Sequence, residues 1–205
     1  MYRFIRLLVK IFYYPLCRVK VIGDSSIKNG SLIVCNHISM RDPVLLVLAL
    51  KNDQYIMAKK ELFRTRIGKW FYSMAHVFPV DRGTGDVAAI RTCVNVLRRG
   101  DSLLLFPQGK RVKGVIPDVS DAKGGIGLIA AMTGADIVPV SIYTRGHRIR
   151  FMKRVYIIIG DAITKEEYMS VTNGDRDGIA RYAFSKVIEQ LKDAQRRYDG
   201  DDRES

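Results

Sequence analysis

Short aliphatic runs and longer segments with helical spacing follow each other along the chain. The aliphatic runs predict five buried strands, at residues 31–35, 55–58, 77–80, 102–106 and 137–143. Apolar residues at helical spacing, or continuous small apolar residues, predict helices at residues 43–50, 66–74, 87–99, 124–133 and 176–198. A β-hairpin is predicted at 148–159. Strands that alternate with helices are typical of an α/β fold with a mostly parallel, mixed central sheet flanked by helices.

The first 22 residues differ from the rest of the chain because they are apolar and basic and contain no acid. Arg3, Arg6 and Lys10 form one stripe at helical spacing, among aliphatic and aromatic residues. This pattern predicts an amphipathic helix over residues 1–22 that lies in the interface of an anionic membrane. An ordinary helix packed on its own domain is the alternative. Because Lys10 interrupts the apolar stretch, neither a membrane-spanning helix nor a signal peptide fits.

Length and composition indicate one folded domain. A chain of 205 residues with 47% hydrophobic residues can bury a complete α/β core, which excludes a disordered or low-complexity protein. We assign residues 23–198 to this domain and residues 199–205 to a solvated acidic tail. Cys17, Cys35 and Cys93 are widely spaced in apolar surroundings, which indicates buried thiols rather than disulfides or a metal site.

A formal net charge of +13 indicates an anionic partner. Nucleic acid, anionic lipid, a phosphorylated substrate and an acidic carrier protein all satisfy this condition. The sequence contains no helix-turn-helix spacing, no Cys/His finger and no paired aromatic strands, so nucleic acid is not expected. Anionic lipid, a phosphorylated substrate and an acidic carrier protein remain.

Polar side chains follow three of the predicted strands directly. His37 follows the first, Arg82 the third, and Gln108 to Arg111 the fourth. Ligands of parallel α/β sheets bind beyond the carboxyl ends of the strands, so these residues are expected to converge on one functional site.

His37 and Asp42 have the spacing of a general base and its orienting carboxylate. A turn between strand and helix can bring Asp42 back to the imidazole, where it fixes the tautomer and leaves the other ring nitrogen free to accept a proton. A structural turn with an aspartate cap is the alternative for this pair alone. A Cys35/His37 nucleophile has no further support in the sequence.

The other polar residues favour binding of an anion. Arg82 offers a planar fork suited to phosphate, although pairing with Asp81 on the surface is an alternative. Gly109 permits a tight turn with exposed backbone N–H groups, next to Lys110 and Arg111.

Four segments in order resemble the glycerophospholipid acyltransferase family across residues 20–165. They are Asn-His-Ile-Ser-Met-Arg-Asp at 36–42, Phe-Pro-Val-Asp-Arg at 78–82, Phe-Pro-Gln-Gly-Lys-Arg at 106–111 and Ile-Val-Pro-Val at 137–140. The resemblance implies transfer of a fatty acyl group from an acyl thioester, on acyl carrier protein or coenzyme A, to a glycerol hydroxyl. The best-known family members of this size use 1-acyl-glycerol-3-phosphate as acceptor and produce phosphatidic acid.

The resemblance also implies roles for individual residues. His37 is the expected general base and Asp42 orients it, while Arg82 and the loop of Gly109, Lys110 and Arg111 hold the acceptor's phosphate. Lys123, before two glycines and a predicted helix, resembles a further phosphate contact of the family at a helix N-terminus; an ordinary exposed lysine is the alternative. Since a thioester is already activated, we expect no covalent enzyme intermediate, no metal and no cofactor.

Two positions of the third segment depart from the family, and the first of them bears on the acceptor. The third segment usually has Glu where this chain has Gln108, and Thr where it has Lys110. A different acceptor, electrostatic compensation by Lys110, or an inactive relative would each explain Gln108. We expect Gln108 to tune the choice of acceptor.

These features together predict a peripheral membrane enzyme at the cytoplasmic face of a bacterial membrane. Its expected partners are lysophosphatidic acid or a similar lyso-lipid, an acyl carrier protein or coenzyme A thioester, and the anionic membrane surface. Another lyso-lipid acceptor and a non-catalytic lipid-binding relative are the alternatives.

Overall fold

A computed structural model describes residues 18–66, 76–80 and 87–199, which include a seven-stranded sheet. The strands are β1 (Arg18–Ile22), β2 (Leu32–Cys35), β3 (Gln54–Lys59), β4 (Val77–Val80), β5 (Ser102–Leu105), β6 (Ile137–Tyr143) and β7 (Arg154–Ile159). Their order in the sheet is β1-β7-β6-β2-β5-β3-β4. The strands from β6 to β4 in that order are parallel, and β7 runs antiparallel to β6. The predicted mostly parallel, mixed sheet is confirmed.

The helices lie on both faces of this sheet. They are α1 (Asp42–Ala49), α2 (Val87–Arg98), α3 (Gly125–Thr133), α4 (Lys165–Thr172) and α5 (Arg176–Tyr198). Four of them match predicted helices. The sequence pattern missed α4 because this short helix buries a single side chain, that of Tyr168.

Alternate residues of the central strands enter two separate apolar clusters. In β2, Leu32 and Val34 pack with residues of α2, α3 and α5, whereas Ile33 and Cys35 pack with residues of α1. All four residues are buried. Strands covered on both faces therefore show continuous aliphatic runs.

The predicted helix over residues 1–22 is wrong at its carboxyl end. Arg18–Ile22 forms β1, which pairs in parallel with β7. The β-branched residues Val19, Val21 and Ile22 favour this extended conformation. Residues 1–17, with the proposed cationic stripe, lie outside the described residues, as do residues 67–74 of the helix predicted at 66–74.

The hairpin predicted at 148–159 is also different in the structure. Only residues 154–159 form a strand, and its antiparallel partner is β6, with Tyr143 opposite Tyr156. Residues 144–153 connect the two strands. The two strands of this hairpin are therefore β6 and β7.

Asp199, the first residue of the predicted acidic tail, contacts the folded domain. The hydroxyl of Tyr143 donates to the carboxylate of Asp199, and Tyr198 stacks on Tyr156 with ring centroids 4.0 Å apart. Burial, with Asp199 adjacent, raises the pKa of Tyr143. Asp199 is therefore tied to the domain, and residues 200–205 lie outside the described residues.

Within the ranges 18–66, 76–80 and 87–199, no helix combines the length and apolar character needed to cross a bilayer.

Candidate active site

The predicted site residues lie at the carboxyl edge of the parallel strands. His37 follows β2, and Gln108 to Arg111 follow β5, its neighbour in the sheet. Arg82 follows β4, but it belongs to residues 81–86, which lie outside the described residues. The site is therefore described without this arginine.

Asp42 holds the imidazole of His37 in one orientation. One carboxylate oxygen, Oδ2, lies 2.7 Å from His37 Nδ1 and accepts hydrogen bonds from the backbone N–H groups of Ile38 and Ser39, also at 2.7 Å. Asp42 is fully buried at the start of α1, with Pro43 next to it. Because a carboxylate only accepts hydrogen bonds, the Nδ1 of His37 carries the proton in this pair. The lone pair of the neutral ring is then on Nε2.

The backbone and the ring of His37 are held from further sides. Its N–H donates to Gln108 Oε1 at 2.8 Å, and its carbonyl accepts from the N–H of Val112 at 2.8 Å. The ring stacks on Phe106, with centroids 4.2 Å apart and planes 22° from parallel. His37 is only 9% exposed. The imidazole is therefore preorganised rather than mobile on the surface.

Asn36 links the end of β2 to β6 through its side chain, a contact that was not predicted from the sequence. Its buried amide Nδ2 donates to the carbonyl of Ile142 at 3.0 Å, and Oδ1 accepts from the N–H of Ile142 at 2.8 Å. These bonds continue the pairing of β2 with β6 beyond Cys35. An amide at a strand end, directly before the histidine, is the sequence signal for this role.

Gln108 is a structural partner of His37. It is 1% exposed, and its Oε1 is the acceptor for the His37 N–H. Its Nε2 is buried and has no hydrogen-bond partner within the described part of the chain. A glutamate here would keep the acceptor for His37 but would turn the second atom from a donor into an acceptor.

The loop after β5 carries its positive charge on side chains. Gly109 has φ +62, and its N–H donates to the carbonyl of Phe106 at 3.1 Å. The prediction that this N–H group is exposed to an anion is therefore wrong. Lys110 and Arg111 are exposed. The side chain of Lys123 lies over the same turn, since a Cβ on Gly109 would stand 3.6 Å from Lys123 Nζ. Lys123 therefore lies against this glycine, and two exposed cationic residues follow it in the chain.

Lys123 does not act with a free helix N-terminus. The carboxylate of Asp177 lies against Gly124, at the beginning of α3, where a Cβ would meet it. That helix end already faces an anion of the same chain. The Lys123 ammonium lies next to the Gly109 turn instead, and its contact with a phosphate stays a prediction.

The cysteines that the structure describes are buried thiols, as predicted. Cys35 is fully buried, and burial raises its pKa well above the ordinary value. Burial raises the pKa of Cys93 to about 12. Among the described residues, no group of three or more His, Cys, Asp or Glu side chains is placed to hold a metal ion.

The described geometry suits proton abstraction next to an anion. His37 is oriented by a buried carboxylate, and its Nε2 is available as a base. Lys110, Arg111 and Lys123 lie at the same edge of the sheet and can attract a phosphate.

Comparisons with known proteins agree on one family. A family model described as Acyltransferase matches residues 18–143, more than half of the chain. The chain is 42% identical over 112 residues to a 1-acyl-sn-glycerol-3-phosphate acyltransferase of Streptococcus pneumoniae, of which it spans only 40%. It is 27% identical over 197 residues to a protein of the same name from Bacillus subtilis, spanning 94% of this chain and 97% of that protein.

The fold matches a solved structure as well. The crystal structure of a 1-acyl-sn-glycerophosphate (LPA) acyltransferase from Thermotoga maritima superposes with a TM-score of 0.76 over 96% of this chain and 80% of that protein, at 23% identity. These bacterial relatives support a bacterial origin of the chain.

Proposed function

The chain belongs to the acyltransferase family, and we propose that it moves a fatty acyl group from an acyl thioester to the free hydroxyl of 1-acyl-glycerol-3-phosphate. The product is phosphatidic acid, an intermediate of phospholipid biosynthesis. The observation that carries the proposal is the buried pair of His37 and Asp42 at the carboxyl end of β2. The names of the relatives support this choice of acceptor.

In this reaction His37 Nε2 takes the proton from the acceptor's hydroxyl while the hydroxyl oxygen attacks the thioester carbonyl. The carbon–sulfur bond breaks, and the departing thiolate takes up the proton from the imidazolium. The carboxylate of Asp42 favours the imidazolium form because the two charges attract over a short, buried contact. A thioester is activated enough for direct attack, so the proposed mechanism uses no covalent enzyme intermediate, metal or cofactor.

Cationic side chains are proposed to hold the acceptor's phosphate. Lys110, Arg111 and Lys123 lie around the Gly109 turn, which follows the strand next to β2. Arg82 is assigned to the same phosphate from its place in the sequence. An acyl carrier protein and coenzyme A are both anionic, so the basic chain suits either donor. We propose a peripheral location at the cytoplasmic face of the membrane.

The test of this function is product formation with defined substrates. Palmitoyl thioesters of acyl carrier protein and of coenzyme A are each offered to lysophosphatidic acid with the full chain in mixed micelles, and phosphatidic acid is measured by mass spectrometry. We expect phosphatidic acid that increases with enzyme and time, and the better thioester identifies the donor. A non-catalytic lipid-binding relative would give no product with either thioester or with other lyso-lipid acceptors.

Replacing Gln108 with Glu is expected to change the choice of acceptor. The buried Nε2 of Gln108 becomes a carboxylate oxygen, which adds a negative charge next to His37, at the edge where the acceptor is proposed to bind. We expect the preference between two differently charged headgroups to change roughly tenfold, which corresponds to about 1.4 kcal/mol. The measurement is the ratio of kcat/KM for lysophosphatidic acid to that for lysophosphatidylglycerol. This ratio is independent of any loss of folded enzyme, and an unchanged ratio would contradict a role in acceptor choice.

A further inference from the structure

The connection between β6 and β7 forms part of the rim of the active site. Two hydrogen bonds link it to His37 through the loop after β5: Gly114 N–H donates to the carbonyl of His147 at 3.1 Å, and Val112 N–H donates to the carbonyl of His37 at 2.8 Å. The guanidinium of Arg148 lies over Gly114, where a Cβ would stand 3.3 Å from Arg148 Nε. Residues 144–153 are therefore fixed next to the catalytic edge of the sheet.

This connection is an ordered loop with a closed base. The hydroxyl of Thr144 donates to the carbonyl of Arg154 at 3.0 Å, which joins the two ends of the loop. The half-buried Ile149 packs against the apolar cluster on the α1 face of the sheet. The loop thus has its own apolar anchor in the core.

Two large apolar residues at the end of the loop point away from that core. Phe151 is 63% exposed and the adjacent Met152 is 55% exposed, in a turn where Met152 has φ +55. We call this pair the apolar tip. Burial of such side chains in an apolar environment is favourable, so the tip gains from an apolar partner. Met40 and Val115, on the two neighbouring loops at this edge, are exposed as well.

Exposed cations surround the apolar tip. We call them the basic rim: Lys113, Arg145, Arg148, Arg150 and Lys153. Residues 137–160 contain no acid. Within the described part of the chain, none of the ion pairs involves a member of the basic rim. Burial lowers the pKa of His147, so the positive charge of this loop comes from arginine and lysine.

We propose that the apolar tip and the basic rim form a membrane-docking surface that seats the catalytic edge of the sheet on an anionic phospholipid bilayer. The cations contact the anionic headgroups, which attract Lys and Arg near the membrane surface. Phe151 and Met152 enter the boundary between headgroups and acyl chains. Nucleic acid also offers phosphates, but it provides no apolar layer at the depth of the tip.

The docking surface would set the orientation of the active site relative to the bilayer. With the tip in the bilayer, the loops after β2 and β5 face the headgroups, at the depth where the phosphate and glycerol of a lyso-lipid lie. The docking surface is built from this loop and its neighbour, without residues 1–17 and independently of the acyl-transfer step. Resting on the proposed function, it would bring a membrane-resident acceptor to His37.

A probe on the loop tests the contact directly, even if residues 1–17 also bind the membrane. Phe151→Cys is prepared in the full chain with Cys17→Ser, leaving Cys35 and Cys93, which are buried. A polarity-sensitive dye on this cysteine is examined with vesicles of equal parts phosphatidylglycerol and phosphatidylcholine. The matched probe is Met132→Cys, an exposed position in the last turn of α3, at the opposite edge of the sheet.

With vesicles, we expect the dye at position 151 to shift its emission to the blue and to become inaccessible to aqueous iodide. The dye at position 132 is expected to show neither change. A dye at 151 that stays as accessible to iodide as the dye at 132 would overturn the proposal. The proposal would also be overturned if duplex DNA bound the protein as tightly as the vesicles do and the dye at 151 remained accessible to iodide with the vesicles.

Two paired substitutions test the tip and the rim separately. Phe151→Ser with Met152→Ser, and Arg150→Gln with Lys153→Gln, are each expected to lower the vesicle partition coefficient by roughly tenfold or more. The matched controls are Met132→Ser for the tip and Lys28→Gln with Lys165→Gln for the rim. Lys28 pairs with Asp136, and the Lys165 side chain lies next to Gly134. Both of these partners directly precede β6, so the two lysines lie at the end of the sheet away from the catalytic edge. Controls that bind as weakly as the loop variants would overturn the proposal.

The reaction and the docking surface fail in different ways. Loop variants that keep wild-type turnover in detergent micelles but lose it on vesicles support the docking surface. An insertion signal at 151 without product in any assay would leave the docking surface standing and remove the acyl-transfer proposal. Product formation together with an unchanged dye signal at position 151 would remove the docking surface and leave the acyl-transfer proposal standing.

Discussion

Replacing His37 with alanine is expected to lower turnover by a factor of about 10² or more while the protein stays folded. The imidazole is the group proposed to take the hydroxyl proton, and its Nδ1 is already engaged by Asp42. The backbone bonds of His37 to Gln108 and Val112 do not involve the ring, so alanine keeps them. The measurement is phosphatidic acid formed per minute per folded enzyme, with folding checked by circular dichroism.

A histidine elsewhere serves as the matched control. His76 directly precedes β4, at the end of the sheet where the parallel strands begin, and it stacks on Tyr55. We expect His76→Ala to keep turnover within about twofold, as is usual for a side chain outside the site. If His37→Ala kept more than about a tenth of the wild-type rate, the general-base role would be contradicted.

Replacing Asp42 with asparagine is expected to lower kcat by about 10²–10⁴, with little change in KM. An amide oxygen in place of Oδ2 can still accept from the N–H groups of Ile38 and Ser39, so the turn is retained. It carries no charge, however, and cannot stabilise the imidazolium that forms when His37 takes a proton. Steady-state kinetics with the better thioester donor measure both constants.

The alanine variant at the same position separates charge from structure. Asp42→Ala removes the acceptor of two backbone N–H groups and is expected to lower the free energy of unfolding by about 2 kcal/mol or more. Asp42→Asn is expected to remain within about 1 kcal/mol of the wild type. A fully active Asp42→Asn enzyme would show that the negative charge is not needed.

The order of strands and helices was predictable because local patterns carry it. The continuous aliphatic run of β2 and the helical spacing of α5 reflect which faces these elements bury, and each pattern is contained in one short segment. The spacing of His37 and Asp42 also predicted their contact, since both belong to one turn between β2 and α1.

Predictions failed where a segment depends on a distant partner. Residues 18–22 are extended because β7 offers them a parallel edge, and Arg18 lies opposite Arg154 in that pairing. Residues 148–159, which contain β7, were predicted to form a hairpin of their own, but β7 pairs with β6 instead. Apolar residues near a basic terminus look helical until such a partner is known.

The sequence by itself determined the α/β class, the buried strands, the family and the contact of His37 with Asp42, because each of these depends on residues close together in the chain. Only the tertiary structure decided how His37 is held, since its bond to Gln108 joins residues 71 positions apart and the bond from Asn36 to Ile142 spans 106. It also decided that Phe151 and Met152 face outward beside the catalytic edge while Ile149 turns inward. Folding brings distant segments together, and local periodicity contains no information about such partners.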